Sequence, residues 1–196
     1  MIPILILAAG QSARMRGRDK LAEPVGGVPL LRRQAAMAAE VGDVCVALPR
    51  ADHPRAALLD GLPVTPLIVP DAGEGMSATL RSGVAHLPPC PAFMVLLADL
   101  PLIGADHLRA ILAARDAAPD ALIWRGATKD GRPGHPILFD AALRPAFADL
   151  EGDAGGAEIV KRHKDKTHLC PLPGDAAVLD LDTPEEWQRF HAETGL

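Results

Sequence analysis

Tyrosine is absent from this 196-residue sequence, and two tryptophans and four phenylalanines leave aromatics at 3%. So few rings give bases little to stack on, and a formal net charge of −5 provides no global basic field. Nucleic acid is therefore excluded as a partner. Cysteine is scarce too: Cys45, Cys90 and Cys170 form neither a CxxC pair nor a metal-ligand spacing, and read as buried thiols. The longest apolar runs, Ile2 to Ala9 and Ala92 to Ala98, fall far short of the ~18 residues that cross a bilayer, so no membrane partner is expected. No cationic leader or small-residue cleavage site precedes the strand-like run after Met1-Ile2-Pro3, which predicts a cytoplasmic protein. A Walker A motif, GxxxxGK[ST], is missing as well.

The length fits one domain spanning 1–196 with a sizeable core. Ile2 to Leu7 is an apolar run without polar alternation, the pattern of a strand covered on both faces. Similar runs recur at Val44 to Leu48, Val64 to Val69, Phe93 to Ala98, Ala121 to Trp124 and Pro136 to Phe139. Helical spacing marks Pro29 to Val41, Asp52 to Leu59, Met76 to Leu87, Ala105 to Ala118, Ala141 to Leu150, Ala154 to His163 and Pro184 to Ala192. The alternation predicts an α/β fold, a doubly wound, mostly parallel sheet with helices on both faces. Lys129 to Pro136, rich in Gly and Pro, reads as a β-ribbon excursion from the sheet.

The first strand runs into Leu7-Ala8-Ala9-Gly10-Gln11-Ser12, whose small residues let backbone amides approach an anion. Arg14, Arg16, Arg18 and Lys20 follow, opposed locally only by Asp19. In an acidic chain this local charge suggests a bound phosphate chain, the alternative being a solvated basic loop. Gly73 to Ala78 matches the dinucleotide pattern G-x-G-x-x-A, but after the third strand instead of the first. On the helix that follows, Ser77 and Arg81 are i and i+4. They either hold a base edge or phosphate near the helix N-terminus, or serve as a cap and a surface charge.

Asp99 ends the Phe93 to Ala98 strand, and Asp180-Leu181-Asp182-Thr183-Pro184 resembles that arrangement near the C-terminus. Carboxylates that meet a phosphate substrate commonly hold Mg²⁺. Asp182 has a second reading as N-cap of the Pro184 helix, a role that Thr183 could also take. For Asp99 that alternative is weaker, since no helix pattern follows it directly.

Together, Leu7-Ala8-Ala9-Gly10-x-Ser12-x-Arg14-Met15, Asp19-Lys20-Leu21, Gly27-x-Pro29-Leu30-Leu31, Gly75-Met76-Ser77, Leu80-Arg81-x-Gly83 and Leu97-Ala98-Asp99-Leu100-Pro101 resemble the MobA/MocA-like nucleotidyltransferases. Gly134-His135-Pro136, Gly152-Asp153-x-Gly155 and Asp180-x-Asp182-Thr183-Pro184-Glu185 continue the likeness in order. The similarity is greatest to the molybdenum cofactor cytidylyltransferase branch. That resemblance implies a Rossmann-like fold and Mg²⁺-dependent transfer of CMP from CTP to molybdopterin with release of pyrophosphate; Mn²⁺ is the other candidate metal. It assigns Leu7, Ala8, Ala9, Gly10, Ser12, Arg14, Lys20, Asp71, Ser77 and Arg81 to the nucleotide, with Lys20, Arg14 and Asp99 catalytic. Asp99 and Asp182 would hold the metal; Gly134, His135, Pro136, Gly152, Asp153 and Gly155 would face the acceptor. For His135 a purely structural loop role is the competing assignment. A molybdoenzyme or its maturation chaperone is the implied protein partner. Ala9 stands where the guanylyl branch tends to have a second glycine, and that branch lacks Gly-His-Pro, so both points favour CTP over GTP. Two departures stand out: Arg16 replaces a usual glycine, and Ala78 a frequent serine. Competing functions are a GTP-using guanylyltransferase, a sugar-1-phosphate-type nucleotidyltransferase, and a non-catalytic nucleotide-binding maturation module.

Overall fold

The computed structural model describes residues 2–152 and 155–196. Strands β1 (Ile4–Leu7), β4 (Val44–Leu48), β5 (Val64–Ile68) and β6 (Ala92–Leu97) lie parallel in the order β5-β4-β1-β6. The sheet continues through β8 (Pro133–Asp140), antiparallel to both neighbours, then β7 (Ile123–Ala127) and β9 (Thr167–Pro171). A two-stranded ribbon, β2 (Pro24–Val25) with β3 (Val28–Pro29), stands apart.

Alternation along β1 divides the core into two layers. Ile4 and Ile6 pack with Leu30 and Leu31 of α1 (Leu30–Ala39), Leu108 and Ile111 of α3 (Ala105–Ala117), and Trp187 and Phe190 of α6 (Pro184–Thr194). Leu5 faces the opposite layer, with Leu80 and Val84 of α2 (Met76–His86), Phe147 of α4 (Arg144–Ala148) and Ile159 of α5 (Ala157–Arg162). There Phe93, Phe139 and Phe147 pack with ring centroids 5.1–5.6 Å apart. Among the described residues no helix is long and apolar enough to cross a membrane.

Register decides where the site lies. Leu7 pairs with Ala47 on one side and Leu97 on the other, so three strands end at one level. The chain moves outward from β1 to β4 and β5, then returns through α2 to β6 on β1's other flank. Such a reversal opens a crevice at the strands' carboxyl ends.

Several local expectations need correction. Lys129 to Pro136 is no excursion: Thr128 and Arg132 close a hairpin turn, and β8 is paired on both edges. The helix expected from Asp52 is a 3-10 segment, Pro54–Leu59, and Ala141 to Leu150 divides into a 3-10 turn and the short α4, with Pro145 in its first turn. Strand β9 escaped notice because Thr167, His168 and Lys166 give it a polar, half-exposed edge pattern. Of the cysteines only Cys170 is buried; Cys45 and Cys90 are half-buried.

Gly134 has a packing reason to be glycine, since a Cβ there would sit 1.9 Å from the Ala177 carbonyl oxygen. Backbone cannot retreat as a flexible side chain can. Gly134→Ala should therefore lower unfolding free energy by at least about 2 kcal/mol in urea titration, whatever its effect on activity.

Candidate active site

The segment after β1 turns sharply. Ser12 and Arg16 both sit at φ 52, in the left-handed region, around a 3-10 turn at Ala13–Met15 whose Met15 is fully buried. Arg16 thus occupies a conformation that glycine adopts without steric cost, which accounts for the glycine usual at this place. Its side chain pairs with Glu185 at 2.7 Å, with both groups well exposed. The amides of Ala9, Gly10, Gln11 and Ser12 make no hydrogen bond among the described residues.

Lys20 is half-buried at the end of this loop. Its Nζ donates to Asp99 Oδ2 and, at 2.7 Å, to Asp182 Oδ1, joining residues 162 positions apart in sequence. Arg14 reaches the other Asp182 oxygen at 2.6 Å from the surface. Burial alone would depress the Lys20 pKa, but the charges and hydrogen bonds of Asp99 and Asp182 raise it above the ordinary value. Burial likewise pushes Asp182 up, and Lys20 and Arg14 more than offset this, holding it low. Asp180 is pushed up by burial and by the like charge of Asp182.

Asp182 is available for Lys20 because Thr183, not Asp182, caps α6. The Thr183 hydroxyl accepts from the Glu186 amide at 3.3 Å, and the Glu186 carboxylate accepts from the amides of Asp182 and Thr183. Asp180 was missed by sequence reasoning. The signal was there, since Asp-x-Asp flanks Leu181, which turns into the core and leaves the two carboxylates outside it. One oxygen from each of Asp99, Asp180 and Asp182 lies within 4.8 Å of the others. Asp99 Oδ1 is buried without a partner, an unmet acceptor in an all-oxygen donor set that suits a hard divalent cation.

A cavity of about 480 Å³ opens beside the cluster, lined by Leu7, Gly10, Lys20, Met76, Thr79 and Asp99 among others. A second, of about 540 Å³, lies across the loop; Arg18, Pro49, Arg50 and His53 line it, and it shares Ala9, Gly10 and Gly73 with the first. A third, of about 110 Å³, shares Leu7 and Met76 with the first and is lined by Arg125, His135, Phe139 and Phe147.

Sequence-nominated residues fall into three groups. Leu7, Ala8, Ala9, Gly10, Ser12, Arg14 and Lys20 gather with Asp99 and Asp182 at the strand ends. Ser77 and Arg81 face elsewhere: the Ser77 hydroxyl donates to the Glu151 carbonyl at 3.0 Å and accepts from the Gly155 amide, and Arg81 donates to the Leu150 carbonyl at 2.7 Å. Neither lines the cavity beside the carboxylate cluster, and Asp71 lies exposed on the 3-10 turn before α2. Among the acceptor candidates, Gly155 lies against Met76, Gly152 is exposed, Pro136 is buried in β8, and Asp153 falls outside the described residues. The other residue that sequence reasoning missed is Arg55, 2% exposed, which donates to Ala8, Gly10, Ser12 and Asp19. Burial raises the Asp19 carboxyl, and Arg55 outweighs it, holding it below the usual range. A cation beside Ala56-Ala57-Leu58-Leu59 was the only hint of it.

A strand-end loop of unpaired amides, a lysine bridging two carboxylates and a third carboxylate beside them have the chemistry that binding a polyphosphate and a hard cation requires. The family follows: the chain belongs to the MobA-like NTP transferase domain family, matched over residues 4–167, and is a nucleotidyltransferase of that family. It is 30% identical over 197 residues to the purine catabolism protein PucB of Bacillus subtilis (strain 168), covering 93% of this chain and 92% of that one. It is 34% identical over 160 residues to the molybdenum cofactor guanylyltransferase of Rhodobacter capsulatus, covering 76% and 80%. The structure of Rv0371c in complex with manganese, from Mycobacterium tuberculosis H37Rv, superposes with a TM-score of 0.77 at 26% identity over 96% of both chains.

His135 is neutral at neutral pH. Burial, reinforced by the Arg125 charge, lowers its pKa from 6.5 to about 4. The unfolded chain therefore binds an extra proton between those values, and stability must fall as pH drops through that window. The contribution reaches ~1.4 kcal/mol per pH unit. His135→Gln should flatten this part of the stability–pH curve in denaturant titrations between pH 4 and 7. Separately, Arg16→Gly should raise stability by about 1 kcal/mol, less what the exposed Glu185 pair contributes, read as a higher melting temperature.

Proposed function

We propose that the protein transfers CMP from CTP to the terminal phosphate of a molybdopterin-type acceptor and releases pyrophosphate. One observation carries this reading: Lys20 joins Asp99 and Asp182 at the rim of a cavity that Ala9, Gly10 and Gln11, whose amides are unpaired, also line. Binding a nucleotide needs the loop, whereas the carboxylate cluster is needed for transfer.

In this reading the loop amides and Lys20 grip the triphosphate, and Arg14 adds charge from the surface. An ionised oxygen of the acceptor phosphate attacks the α-phosphorus in line; a new P–O bond forms, the α–β bond breaks, and pyrophosphate leaves with the electron pair. No protein base is required, since the nucleophile is already charged. Catalysis is positioning and charge neutralisation. Asp99 and Asp182, with Asp180, would hold Mg²⁺, or Mn²⁺ in its place, which when bound supplies Lewis-acid neutralisation of the phosphate oxygens. Lys20 follows the charge that grows on the departing phosphates. His135, uncharged, would offer Nδ1 to the acceptor as a hydrogen-bond partner and not as a cation. The product would pass to a molybdoenzyme or its maturation chaperone.

Ala9 and the Gly134-His135-Pro136 element support CTP. GTP is the second reading, favoured by the name of the Rhodobacter capsulatus relative, a guanylyltransferase. Pyrophosphate release with Mg²⁺, molybdopterin and each NTP in turn decides between them. Release with CTP alone is the expected result. Release with GTP alone would overturn the base assignment. Silence with all four, alongside turnover of a sugar 1-phosphate, would overturn the acceptor. Asp99→Ala should cut turnover by at least ~10³-fold in folded protein. Lys20→Ala should lower kcat as well as raise KM, because its partner charge develops in the transition state.

A further inference from the structure

We propose that Arg55 is the positioning residue for the nucleotide: from behind the loop it fixes both the direction of the anion-binding amides and their distance from Lys20. The inference rests on the reading of that loop as the triphosphate cradle.

Arg55 comes from the 3-10 segment Pro54–Leu59, far from the loop in sequence. Its five N–H donors are all engaged. Nη1 donates to the Ala8 carbonyl at 2.6 Å and the Gly10 carbonyl at 2.7 Å; Nη2 donates to Ser12 Oγ at 3.0 Å and Asp19 Oδ1 at 2.7 Å; Nε donates to Asp19 Oδ2 at 2.7 Å. No donor is left for a ligand, so whatever Arg55 does for binding it does through the loop.

The direction of the effect follows from peptide geometry. In a planar trans peptide the carbonyl and the following N–H point opposite ways. With the Ala8 and Gly10 carbonyls drawn to the guanidinium, the amides of Ala9 and Gln11 turn away from it, and these are among the amides without a partner. The hydroxyl of Ser12 is held by Arg55 and also donates to Asp19, which keeps a non-glycine residue in its left-handed conformation. Asp19 in turn accepts the Leu21 amide at 3.0 Å, so the chain on both sides of Lys20 is tied to the same clamp. One planar fork therefore sets the spacing between cradle and ammonium. A lysine, with three donors on one atom, could keep the charge opposite Asp19 but could not span both carbonyls.

The test uses three proteins: wild type, Arg55→Lys, and the double variant Arg55→Met/Asp19→Asn. The double variant removes both charges and so leaves no unpaired ion behind. CTP and GTP are titrated by calorimetry, and KM for NTP and for acceptor are measured beside the melting temperature. Arg55→Lys is expected to fold and to raise the Kd and KM for NTP at least tenfold, with the acceptor KM unchanged. The double variant should melt within a few degrees of wild type and still bind NTP weakly. If the double variant is folded and binds NTP as wild type does, Arg55 is only a buried ion-pair partner and the inference falls. If wild type binds neither nucleotide, the cradle reading itself fails, which is a separate result.

Discussion

Because β1 is flanked in parallel by β4 and β6, with Leu7 level with Ala47 and Leu97, the charged groups that follow these three strands leave the sheet at one end. Strand interiors there are apolar on both faces and cannot hold a charge. The loops that follow receive all of it: unpaired amides after β1, Arg55 after β4, Asp99 after β6. Only Asp180 and Asp182 come from elsewhere, on the extended approach to α6.

Concentrating charge at one end of the sheet has a desolvation cost, and the structure meets most of it by pairing the groups it encloses. Arg55 spends all five donors, Lys20 divides its proton donors between two carboxylates, and Asp182 meets both Lys20 and Arg14. The capping box of α6 belongs to the same arrangement. Had Asp182 capped its helix, Lys20 would face Asp99 alone; Thr183 and Glu186 satisfy the helix end and release the aspartate to the cluster. Asp99 Oδ1 is left without a donor, as Nδ1 of His135 is left without a partner at the smaller cavity.

The sequence shows the site's contents better than its supports. Asp99 was legible because a carboxylate directly after an apolar run, with no helix to cap, has few other uses. The first loop was legible because small residues and clustered cations stand out in an acidic chain. Arg55 was not legible: a lone arginine before an alanine–leucine stretch looks like surface charge, and only the fold brings it behind a loop 36 to 47 residues earlier. The Asp-x-Asp spacing that places Asp180 beside Asp182 was readable in the sequence. Ser77 and Arg81 show the converse, for their helical spacing was read correctly while the partners that engage them, the carbonyls of Leu150 and Glu151, lie in a loop with no pattern of its own.

Those two contacts tie α2 to a loop about 70 residues further along the chain. Met76 and Thr79 of this helix line the cavity beside the carboxylate cluster, and Met76 also lines the smaller cavity of His135. Ser77 and Arg81 tie the same first turns to Leu150, Glu151 and Gly155, and Gly155 leaves no room for a Cβ beside the Met76 sulfur. The helix that lines both cavities is therefore tied by hydrogen bonds to the loop that follows α4. The cavity beside the carboxylate cluster and the smaller cavity of His135 thus share the wall that α2 provides, while the charged groups gather at the strand ends. Arg16, kept in a strained conformation and paired to Glu185 beside the α6 cap, makes a comparable connection between the first loop and the helix behind Asp182. Both connections span sequence distances that no local pattern could encode, and both depend on the strand register that brings the loops to a common edge.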